Sequence, residues 1–415
     1  MNCEIEFLPD GGVVSPLGFI AGAARAGIKT HGDDVALIAS ETPAVCAAVF
    51  TQNQVKAAPV VVSAQHAPNT TTRAIVCNAG NANCCTGAQG IENARRMCEL
   101  AARKIGCEIE EVLVCSTGII GHALPMEKIE SALSGLHMST HAAAETLNET
   151  LARAVMTTDT KPKYCAARTQ INGATVTVGG QAKGVGMIGP DMARLHALPH
   201  ATMLSFLTTD AAIEKEVLQT ALEEVVARTF NSVTVDGDTS TNDSCLLLAN
   251  GASGVQIENS ASHEYSCFRA LLQAVCTSLA QMIARDGEGA TKLVTIEVSG
   301  ARTAKDAQTI ALCVANSPLV KTAIFGRDPN WGRLAMASGR AGIPFDAARL
   351  SIRLGEIEVF NGGEPTAFDK PQAEAAMSGD ELTIHLQFGE GEASWTAWTC
   401  DFSYDYVKIN AEYHT

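Results

Sequence analysis

The sequence predicts an α+β protein built from layered sheets and helices. Short runs with apolar alternation recur along the chain, helical repeats of apolar residues stand between them, and Asn172-Gly173 marks a two-residue hairpin. Hairpins join antiparallel strands, so a doubly wound parallel sheet is disfavoured. With 415 residues, of which 46% are hydrophobic and 18% charged, the chain is long enough for two domains or one large layered domain.

Strands dominate the first part of the chain. Residues 33–50 and 73–77 carry apolar runs with turn residues between them, which predicts short strands. The second strand runs into Asn78-Ala-Gly-Asn-Ala-Asn83, a cluster typical of a turn or of a polar loop that lines a site. Apolar residues then recur at helical spacing over residues 91–105, with Gly106 as a stop signal.

A short buried strand is predicted at residues 112–115, and it ends in Ser116-Thr117-Gly118. A turn of small residues at the end of a strand exposes backbone N–H groups, which are the donors that an oxyanion hole requires. A helix over residues 126–136 and a polar, basic loop over residues 157–163 come next in the chain. The hairpin follows that loop.

The C-terminal half combines two long helices with a β-rich region. Apolar stripes predict one helix over residues 213–226, with Asp210 and Glu214 suited to its N-terminal end, and another over residues 268–283. Buried or alternating apolar runs predict further strands. These strands cover residues 245–249, 294–298, 350–354, 382–388 and 395–402, the last two as partners in a hairpin.

Composition disfavours several classes of partner. The net charge of −15 repels phosphate backbones and anionic lipids, so the sequence predicts neither nucleic-acid binding nor membrane binding. The N-terminus lacks the basic and apolar regions of a signal peptide, and no apolar run approaches the roughly 20 residues that cross a bilayer. We therefore expect a cytoplasmic protein.

The cysteines and the acidic turns carry no sign of a metal site. The 14 cysteines are scattered without a Cys-x-x-Cys pair, which predicts buried free thiols in preference to disulfides or a zinc site. Asp236-Gly-Asp238 and Asp286-Gly-Glu288 lack the ligand spacing of a calcium loop. We expect no metal.

A literal nucleotide fingerprint, Gly184-Val-Gly186-Met-Ile-Gly189, follows a predicted strand. The dinucleotide motif needs a helix that begins at its third glycine, but Pro190-Asp191 follows here. We interpret the segment as a turned substrate loop and predict no bound nucleotide cofactor. His196 and His200 are interpreted as exposed loop residues.

Thr202 is the candidate nucleophile. The Ala201–Thr202 junction behind the glycine-rich loop offers a scissile peptide bond and a hydroxyl that can attack the preceding carbonyl. Cleavage would release a threonine α-amine with a pKa of about 8, which could act as the base for its own hydroxyl. Taken alone, however, the threonine would be read as the start of a helix.

The sequence blocks around Thr202 strengthen its assignment as the nucleophile. Lys183-Gly-Val-Gly-Met-Ile together with Ala201-Thr-Met-Leu-Ser-Phe-Leu-Thr-Thr-Asp resembles the self-cleaving core of the ornithine acetyltransferases of the cyclic arginine pathway, the glutamate N-acetyltransferase family. Further blocks resemble the same family in the same order over nearly the entire chain. They are residues 55–60, 78–83, 115–121, 157–163, 230–243, 284–292, 325–333 and 409–415.

The resemblance implies an α/β/β/α sandwich and an acetyl transfer from N2-acetylornithine to glutamate through an acetyl-threonine intermediate. It implies cleavage between Ala201 and Thr202 into an α chain, residues 1–201, and a β chain, residues 202–415, assembled as an α2β2 heterotetramer. It implies no cofactor, and because some members accept acetyl-CoA as donor, that co-substrate stays open.

The resemblance also assigns residues to roles. Thr202 is the expected nucleophile, and Thr117 and Gly118 are expected to stabilise the oxyanion. Thr158 is an alternative to Thr157 as a substrate contact, and about eight residues, 193–200, lengthen the loop before the scissile bond relative to the family pattern. The expected substrate contacts are Thr157, Lys183, Thr202, Glu288, Asn410 and Thr415.

Two other functions fit parts of the pattern. An N-terminal-nucleophile aminopeptidase of the same architecture would hydrolyse the acyl-enzyme instead of passing the acyl group on. A non-catalytic binding protein would keep the fold but leave the chain uncut.

Overall fold

The computed structural model describes residues 3–140, 146–189, 191–194 and 203–412. The predictions that concern His196, His200, Ala201, Thr202 and Thr415 therefore lie outside the described residues.

The described chain forms two compact units. The first contains the residues up to Ala227 together with Asp238–Leu279, and the second contains Arg228–Gly237 together with the residues from Ala280 onward. The division into two compact units does not test whether the chain is cut between residues 201 and 202. The α chain, 1–201, and the β chain, 202–415, therefore stay predictions.

The first unit holds eleven strands and six helices of the described chain, α5 and α6 running on into residues of the second unit. The strands are β1 Glu6–Leu8, β2 Phe19–Ala24, β3 Val35–Phe50, β4 Thr72–Asn81, β5 Val112–Ile119, β6 Lys163–Ile171, β7 Ala174–Lys183, β8 Leu204–Thr209, β9 Ala212–Ile213, β10 Ser244–Ala249 and β11 Gln256–Ile257. The helices are α1 Ala58–His66, α2 Gly87–Ile105, α3 Met126–Gly135, α4 Leu147–Ala154, α5 Lys215–Arg228 and α6 His263–Arg285.

The long strand β3 connects two halves of one nine-stranded sheet, ordered β1-β6-β7-β8-β10-β3-β4-β5 with β2 also paired to β3. Its N-terminal part pairs with β2 and β4, its C-terminal part pairs with β10, and the register shifts between Ala39 and Ala44. The short runs predicted over residues 33–50 are thus one strand of 16 residues. A bulge bends a strand and increases its twist, which lets one strand serve both halves.

The two halves of the sheet share one apolar core. That core includes Ile38 and Leu113 from the half formed by β2–β5, and Phe206 and Leu246 from the half formed by the other strands. Helices cover the outer faces: α1, α2 and α3 share a second core with β3, β4 and β5, while Val275 and Leu279 of α6 lie close above Gly180 of β7. The first unit is therefore an α/β/β/α sandwich, and the predicted α+β class is confirmed.

The second unit is built on a six-stranded sheet, ordered β15-β14-β13-β16-β12-β17. Its strands are β12 Leu293–Ala301, β13 Ser351–Leu354, β14 Ile357–Asn361, β15 Glu364–Pro365, β16 Glu381–Gln387 and β17 Ala393–Cys400. Its helices are α7 Ala304–Ala315, α8 Pro318–Phe325, α9 Trp331–Gly339, α10 Lys370–Ala376 and α11 Tyr404–Glu412. Apolar residues of α7, α8 and α9, such as Ile310, Ile324 and Leu334, pack on the sheet.

The predicted hairpin between residues 382–388 and 395–402 is wrong in its pairing. Strand β12 lies between β16 and β17, parallel to the first and antiparallel to the second. Closeness in sequence favours a hairpin, but a strand from earlier in the chain takes the central position. By contrast, the hairpin at Asn172-Gly173 is confirmed: β6 and β7 pair there, and both residues have the positive φ, 53° and 80°, of a type I′ turn.

Of the two acidic residues predicted to stabilise the N-terminal end of helix α5, one does so. Glu214 accepts hydrogen bonds from the backbone N–H groups of Glu216 and Val217, which stabilises the first turn. Asp210 instead accepts from the N–H groups of Leu17 and Thr177 and holds strand ends together, so its predicted role is wrong.

One pair of cysteines contradicts the prediction of free thiols. A disulfide joins Cys3 to Cys267, and its sulfurs are therefore not available as metal ligands. The two residues stand 264 positions apart, so no local spacing pointed to the pair. Twelve other cysteines are free, and nine of these are buried, as predicted.

Helix α6 is the one helix in the described part of the chain that is long and apolar enough to cross a membrane, with 23 residues and a mean hydropathy of 1.3 in its most apolar window. Over half of that window, 56%, is buried inside the protein. Leu271, Leu272 and Leu279 are fully buried in the first unit. Burial in the core accounts for the hydropathy of this helix.

Candidate active site

Thr117 and Gly118 lie near the end of β5, not in a turn after it. Thr117 pairs with Ala79 and Gly118 pairs with Gly80, and the register then shifts at Asn81. The predicted turn is thus a bulged strand end, which fits a site because a bulge interrupts the regular hydrogen-bond ladder. Both residues lie near the end of a buried strand, within the strand and not in the predicted turn, and their role as oxyanion donors stays a prediction.

Gly118 occupies a position that no other residue type fits. Its φ of +130° favours glycine, and a Cβ atom there would lie 2.3 Å from the carbonyl carbon of Gly80. The two glycines therefore allow the ends of β4 and β5 to approach closely.

We expect Gly118→Ala to destabilise the fold, because the added Cβ displaces the backbone of Gly80, and to lower kcat by about 10² to 10³-fold if this displacement misplaces the predicted oxyanion donors. Gly121→Ala is the matched control, because Gly121 also has a positive φ, +87°, but nothing lies within 4 Å of its Cβ position. Urea unfolding and acetyl-transfer kinetics on both variants test this. Equal effects of the two substitutions would contradict the steric explanation.

The asparagine cluster predicted as a turn or loop is the end of β4. Ser116 Oγ donates to Asn78 Oδ1 over 2.6 Å, and Asn78 Nδ2 donates to the backbone oxygen of Asn81 over 2.9 Å. Asn81 Nδ2 in turn donates to the carbonyls of His122 and Ala123. The cluster fixes the chain on both sides of Thr117 and Gly118, and β4 ends later than predicted, at Asn81.

Asn242 connects the two halves of the sheet at this end. Its Nδ2 donates to the backbone oxygens of Ala82 and Ser116, over 2.6 and 2.8 Å. Ser244, at the start of β10, lies close enough to Cys115 of β5 to lower the pKa of its thiol, although burial, the larger effect, raises it. The start of β10 thus lies against the end of β5. The sequence marked this segment only as polar, since it could not show that the segment is buried.

Lys183 is the last residue of β7 and is only 5% exposed. It pairs with Leu204 of β8, and Leu204 pairs with Ser244 on its other side. Residues directly opposite one another share a face of the sheet, so Lys183 and Ser244 point to the same side. Within the described part of the chain the Lys183 ammonium makes no hydrogen bond. A buried ammonium without a hydrogen-bond partner suits an anionic group of a ligand.

Asp159 ties two predicted substrate segments together. Its Oδ1 accepts from Lys163 Nζ and from the N–H of Gly184, both over 2.8 Å, and its Oδ2 accepts from the N–H of Thr157 over 3.1 Å. Burial alone would raise the pKa of this carboxyl, but the charges of Lys183 and Lys163 and these hydrogen bonds hold it well below the usual range. Asp159 is therefore ionised; Lys163 forms an ion pair with it, and Lys183 acts on it through its charge.

Asp243 precedes Ser244 and is fully buried. Among the described residues, neither of its carboxyl oxygens has a hydrogen-bond partner. Burial raises the pKa of this carboxyl well above its usual range, against the opposing charge of Lys183. Sequence reasoning missed both Asp159 and Asp243, because it placed them in polar loops and could not foresee their burial.

The second unit contains the predicted contacts Glu288 and Asn410. Asn410 Nδ2 donates to Glu288 Oε2 over 2.9 Å, so the two residues are neighbours, while their role as substrate contacts stays a prediction. The loop that carries Glu288 is held by Asp401, which accepts from the N–H groups of Thr291 and Lys292 over 2.8 and 3.0 Å. Gly289 has a positive φ, +69°, and packs directly on the backbone of Tyr406.

The glycine-rich loop after Lys183 does not open a helix. Residues 184–189 form bends and irregular backbone, and the next helix in the described chain is α5. In the described residues, the loop therefore lacks the helix that a dinucleotide-binding motif requires after its third glycine. At the start of the eight extra residues, Ala193 forms backbone hydrogen bonds with Phe50, and Arg194 forms ion pairs with Glu216 and Glu223.

Comparison with known proteins decides the family. A sequence model described as the ArgJ family matches residues 20–415. The chain belongs to the ArgJ family. The family predicted from the sequence is thereby confirmed, and so, at the level of the family, is an enzyme of arginine biosynthesis with acetyltransferase character.

Curated relatives cover essentially the whole chain. The arginine biosynthesis bifunctional protein ArgJ of Symbiobacterium thermophilum is 47% identical over 98% of this chain and 99% of the relative. The protein of the same name from Gloeobacter violaceus is also 47% identical, over 98% of each chain.

Solved structures include half-length chains of the family. An ArgJ structure from Bacillus halodurans is 42% identical with a TM-score of 0.49, and it covers 51% of this chain and 100% of its own. An ornithine acetyltransferase from Mycobacterium tuberculosis in complex with ornithine is 37% identical with a TM-score of 0.41, and it covers 46% of this chain and 100% of its own.

Proposed function

We propose that this ArgJ-family chain transfers an acetyl group from N2-acetylornithine to glutamate through an acetyl ester on Thr202, after cutting its own Ala201–Thr202 bond. The observation that carries the proposal is the position of Met203. Its backbone oxygen accepts from the N–H of Ser244 over 3.0 Å, and it is only 1% exposed. Thr202 directly precedes this residue in the chain.

The pairing of the strands supports a nucleophile near the predicted oxyanion donors. Asn242 donates a hydrogen bond to the backbone oxygen of Ser116 over 2.8 Å, so the segment just before β10 lies against the end of β5. Strands β8 and β10 are parallel, with Leu204 beside Ser244. Two residues before Leu204 is Thr202, and two residues after Cys115 is Thr117.

The proposed chemistry uses each group at this end of the sandwich. Thr202 Oγ attacks the acetyl carbonyl while its α-amine accepts the hydroxyl proton, and the oxyanion rests on donors around Thr117 and Gly118. The α-amine then returns the proton to the departing amine of ornithine. Glutamate's amine attacks the resulting ester, releases N-acetylglutamate and restores the hydroxyl.

Charge supports a role for Lys183 in holding a substrate carboxylate. Lys163 is paired with the carboxylate of Asp159, whereas the buried Lys183 forms no ion pair among the described residues and acts on Asp159 and Asp243 only through its charge. A carboxylate of the substrate would neutralise that charge in a region where water is excluded. Thr157, or Thr158 beside it, together with Glu288, Asn410 and Thr415, completes the proposed set of contacts.

Several features extend the proposal beyond the site. We include acetyl-CoA as a possible second donor, an α2β2 heterotetramer of cut chains, no bound cofactor and a cytoplasmic location. The acyl-enzyme itself is common to transferases and hydrolases with an N-terminal nucleophile, so the fate of the acetyl group is what defines the activity.

Glutamate dependence separates the transferase from the aminopeptidase alternative. With N2-acetylornithine and glutamate we expect equal amounts of ornithine and N-acetylglutamate, because the amine of glutamate competes with water for the ester. Without glutamate, we expect a single burst of ornithine followed by slow acetate release. Product quantification by mass spectrometry checks this. Acetate release at an undiminished rate in the presence of glutamate would show a hydrolase.

A further inference from the structure

A cluster of three potential metal ligands lies in the first unit, where α6 begins. Among the described residues, Cys3, His263 and Cys267 each bring one ligand atom to within 4.8 Å of the others. His263 is exposed, Cys3 is half-buried and Cys267 is buried. Solvent therefore reaches one side of the cluster, while the protein closes the other. None of the residues proposed for acetyl transfer belongs to it.

Two of the ligands come from one turn of helix α6. His263 is the first residue of this helix, and Cys267 follows four positions later. Residues at this spacing lie on the same face of a helix. His263 Nε2 lies 3.5 Å from Cys267 Sγ. A nitrogen and a sulfur bound to one tetrahedral zinc ion, at about 2.0 and 2.3 Å, lie about 3.5 Å apart. The helix therefore offers both atoms at the separation that zinc requires.

The third ligand, Cys3, is held beside the helix by the pairing of β1 with β6. The backbone oxygen of Glu4 accepts from Thr169 Oγ1 over 2.6 Å. Glu6 accepts two hydrogen bonds from Arg168 of β6, both over 2.9 Å. The residues that follow Cys3 are thus fixed to the sheet.

The beginning of α6 is fixed to the same hairpin. Asn172 Nδ2, in the turn between β6 and β7, donates to Glu264 Oε1 over 2.9 Å. Strand β6 therefore pairs with β1 directly and, through its hairpin turn, holds the N-terminal end of α6. These contacts position the three ligands without any help from a metal, which preorganises the site.

The disulfide between Cys3 and Cys267 and a metal ion exclude one another, because both use the same two sulfurs. In the cytoplasm, the location proposed for this chain, glutathione and thioredoxin keep thiols reduced. Two molecules of a thiol such as glutathione convert the bond into two cysteine thiols and leave as glutathione disulfide. The Cα atoms of Cys3 and Cys267 lie 5.6 Å apart, so rotation of the side chains can admit an ion between the separated sulfurs.

We propose that the reduced protein binds a zinc ion through Cys3, His263 and Cys267, and that this ion takes over the linkage that the disulfide makes between the N-terminal segment and α6. Each thiol releases its proton to solvent as it binds, and the neutral imidazole binds through Nε2. Thiolate and imidazole are the ligands that suit zinc. The exposed side of the cluster leaves the fourth position open to solvent.

The linkage serves the fold. Strand β1 has only three residues and lies at the edge of the nine-stranded sheet, where a strand has a partner on one side only. A tie from Cys3 to α6 keeps this strand in place in both redox states. No local spacing marks the site, because Cys3 and Cys267 stand 264 positions apart, so the expectation of no metal site did not reach it.

Cobalt binding by the wild-type protein tests the site, because Co²⁺ bound to thiolates absorbs light and Zn²⁺ displaces it. The protein is reduced with a phosphine, freed of metal and titrated with Co²⁺. We expect about one equivalent to bind with thiolate-to-cobalt charge-transfer absorption, which Zn²⁺ then abolishes. The same protein with its disulfide intact should not show this absorption. Its absence from the reduced protein, or its presence at equal strength in the oxidised protein, would overturn the proposal.

Cys3→Ser is the decisive variant, because Cys3 precedes the first strand and contributes little to the core. We expect it to bind Co²⁺ more than about 100-fold more weakly, beyond the usual effect of a residue that only supports a ligand. Cys85→Ser is the matched control, since Cys85 is an exposed free thiol outside the cluster, and it should bind as the wild type does. A smaller loss in Cys3→Ser, or an equal loss in Cys85→Ser, would overturn the assignment.

Thermal unfolding tests the linkage separately. Zn²⁺ should raise the Tm of the reduced wild type by several degrees, because an ion that binds only the folded protein stabilises it. The Tm of reduced Cys3→Ser should not respond. An unchanged Tm in a wild type that binds zinc would overturn the structural role of the ion.

Discussion

Thr202→Ala is expected to remain a single chain and to lose acetyl transfer by roughly 10⁴ to 10⁶-fold, as when the nucleophile of a hydrolase is removed. Both steps fail for one reason: without the hydroxyl there is neither an attack on the Ala201 carbonyl nor an acetyl ester. Steady-state kinetics with N2-acetylornithine and glutamate measure the loss. Binding of ornithine should survive, because Lys183 and the loop tied by Asp159 are unchanged.

Thr202→Ser is the matched control, because serine keeps the attacking hydroxyl and the α-amine. We expect this variant to be cut and to retain measurable transfer. If Thr202→Ala transferred acetyl at the wild-type rate, the nucleophile would have to be another residue.

Asp159→Asn is expected to have the largest effect on stability among the residues of the site, about 3–5 kcal/mol of unfolding free energy. The substitution leaves Lys163 buried without its ion-pair partner and Lys183 without the charge of Asp159, and it weakens the tie between Thr157 and Gly184. We also expect KM to rise, because both substrate segments lose their common anchor. Urea unfolding and steady-state kinetics measure these effects.

Two comparisons make the Asp159 prediction specific. Adding Lys163→Met to Asp159→Asn should recover part of the lost stability, because it removes one buried, unpaired charge. Glu6→Gln, which breaks the exposed pair between Glu6 and Arg168, should change the unfolding free energy far less. Equal losses in Asp159→Asn and Glu6→Gln would contradict the role of the buried pair.

The contribution of Asp159 also has a defined pH dependence. Its folded pKa lies below the unfolded value, so the stabilisation is fully present above about pH 4 and is lost as the pH falls through the folded pKa. In Asp159→Asn, the unfolding free energy should therefore fall less steeply at acidic pH than in the wild type, because this carboxyl no longer titrates.

Sequence reasoning succeeded where the signal is local. Asn172-Gly173 defines its hairpin because only a few residue types accept positive φ at both positions, and Glu214 caps α5 from one residue before the helix. Glu288 and Asn410 became candidate substrate contacts through the family resemblance alone, since no local pattern marks either residue. Each of these features needs little knowledge of the rest of the fold.

The failures all depend on distant parts of the chain. The Cys3–Cys267 disulfide, the place of β12 between β16 and β17, and the extension of β5 through Thr117 and Gly118 are set by tertiary pairing. Strand β8 lies directly after Thr202 in sequence, yet only its partners β7 and β10 show why it is a strand. The burial of Asp159 and Asp243 likewise follows from packing, not from their polar neighbours.

Cleavage between Ala201 and Thr202 is the central claim, and denaturing mass spectrometry of the purified wild type tests it most directly. By length, the 43.4 kDa chain should give products of about 21 and 22 kDa, the larger one beginning with Thr202, if the threonine hydroxyl attacks the preceding carbonyl. A fully active enzyme that consists only of the intact 43.4 kDa chain would contradict the account.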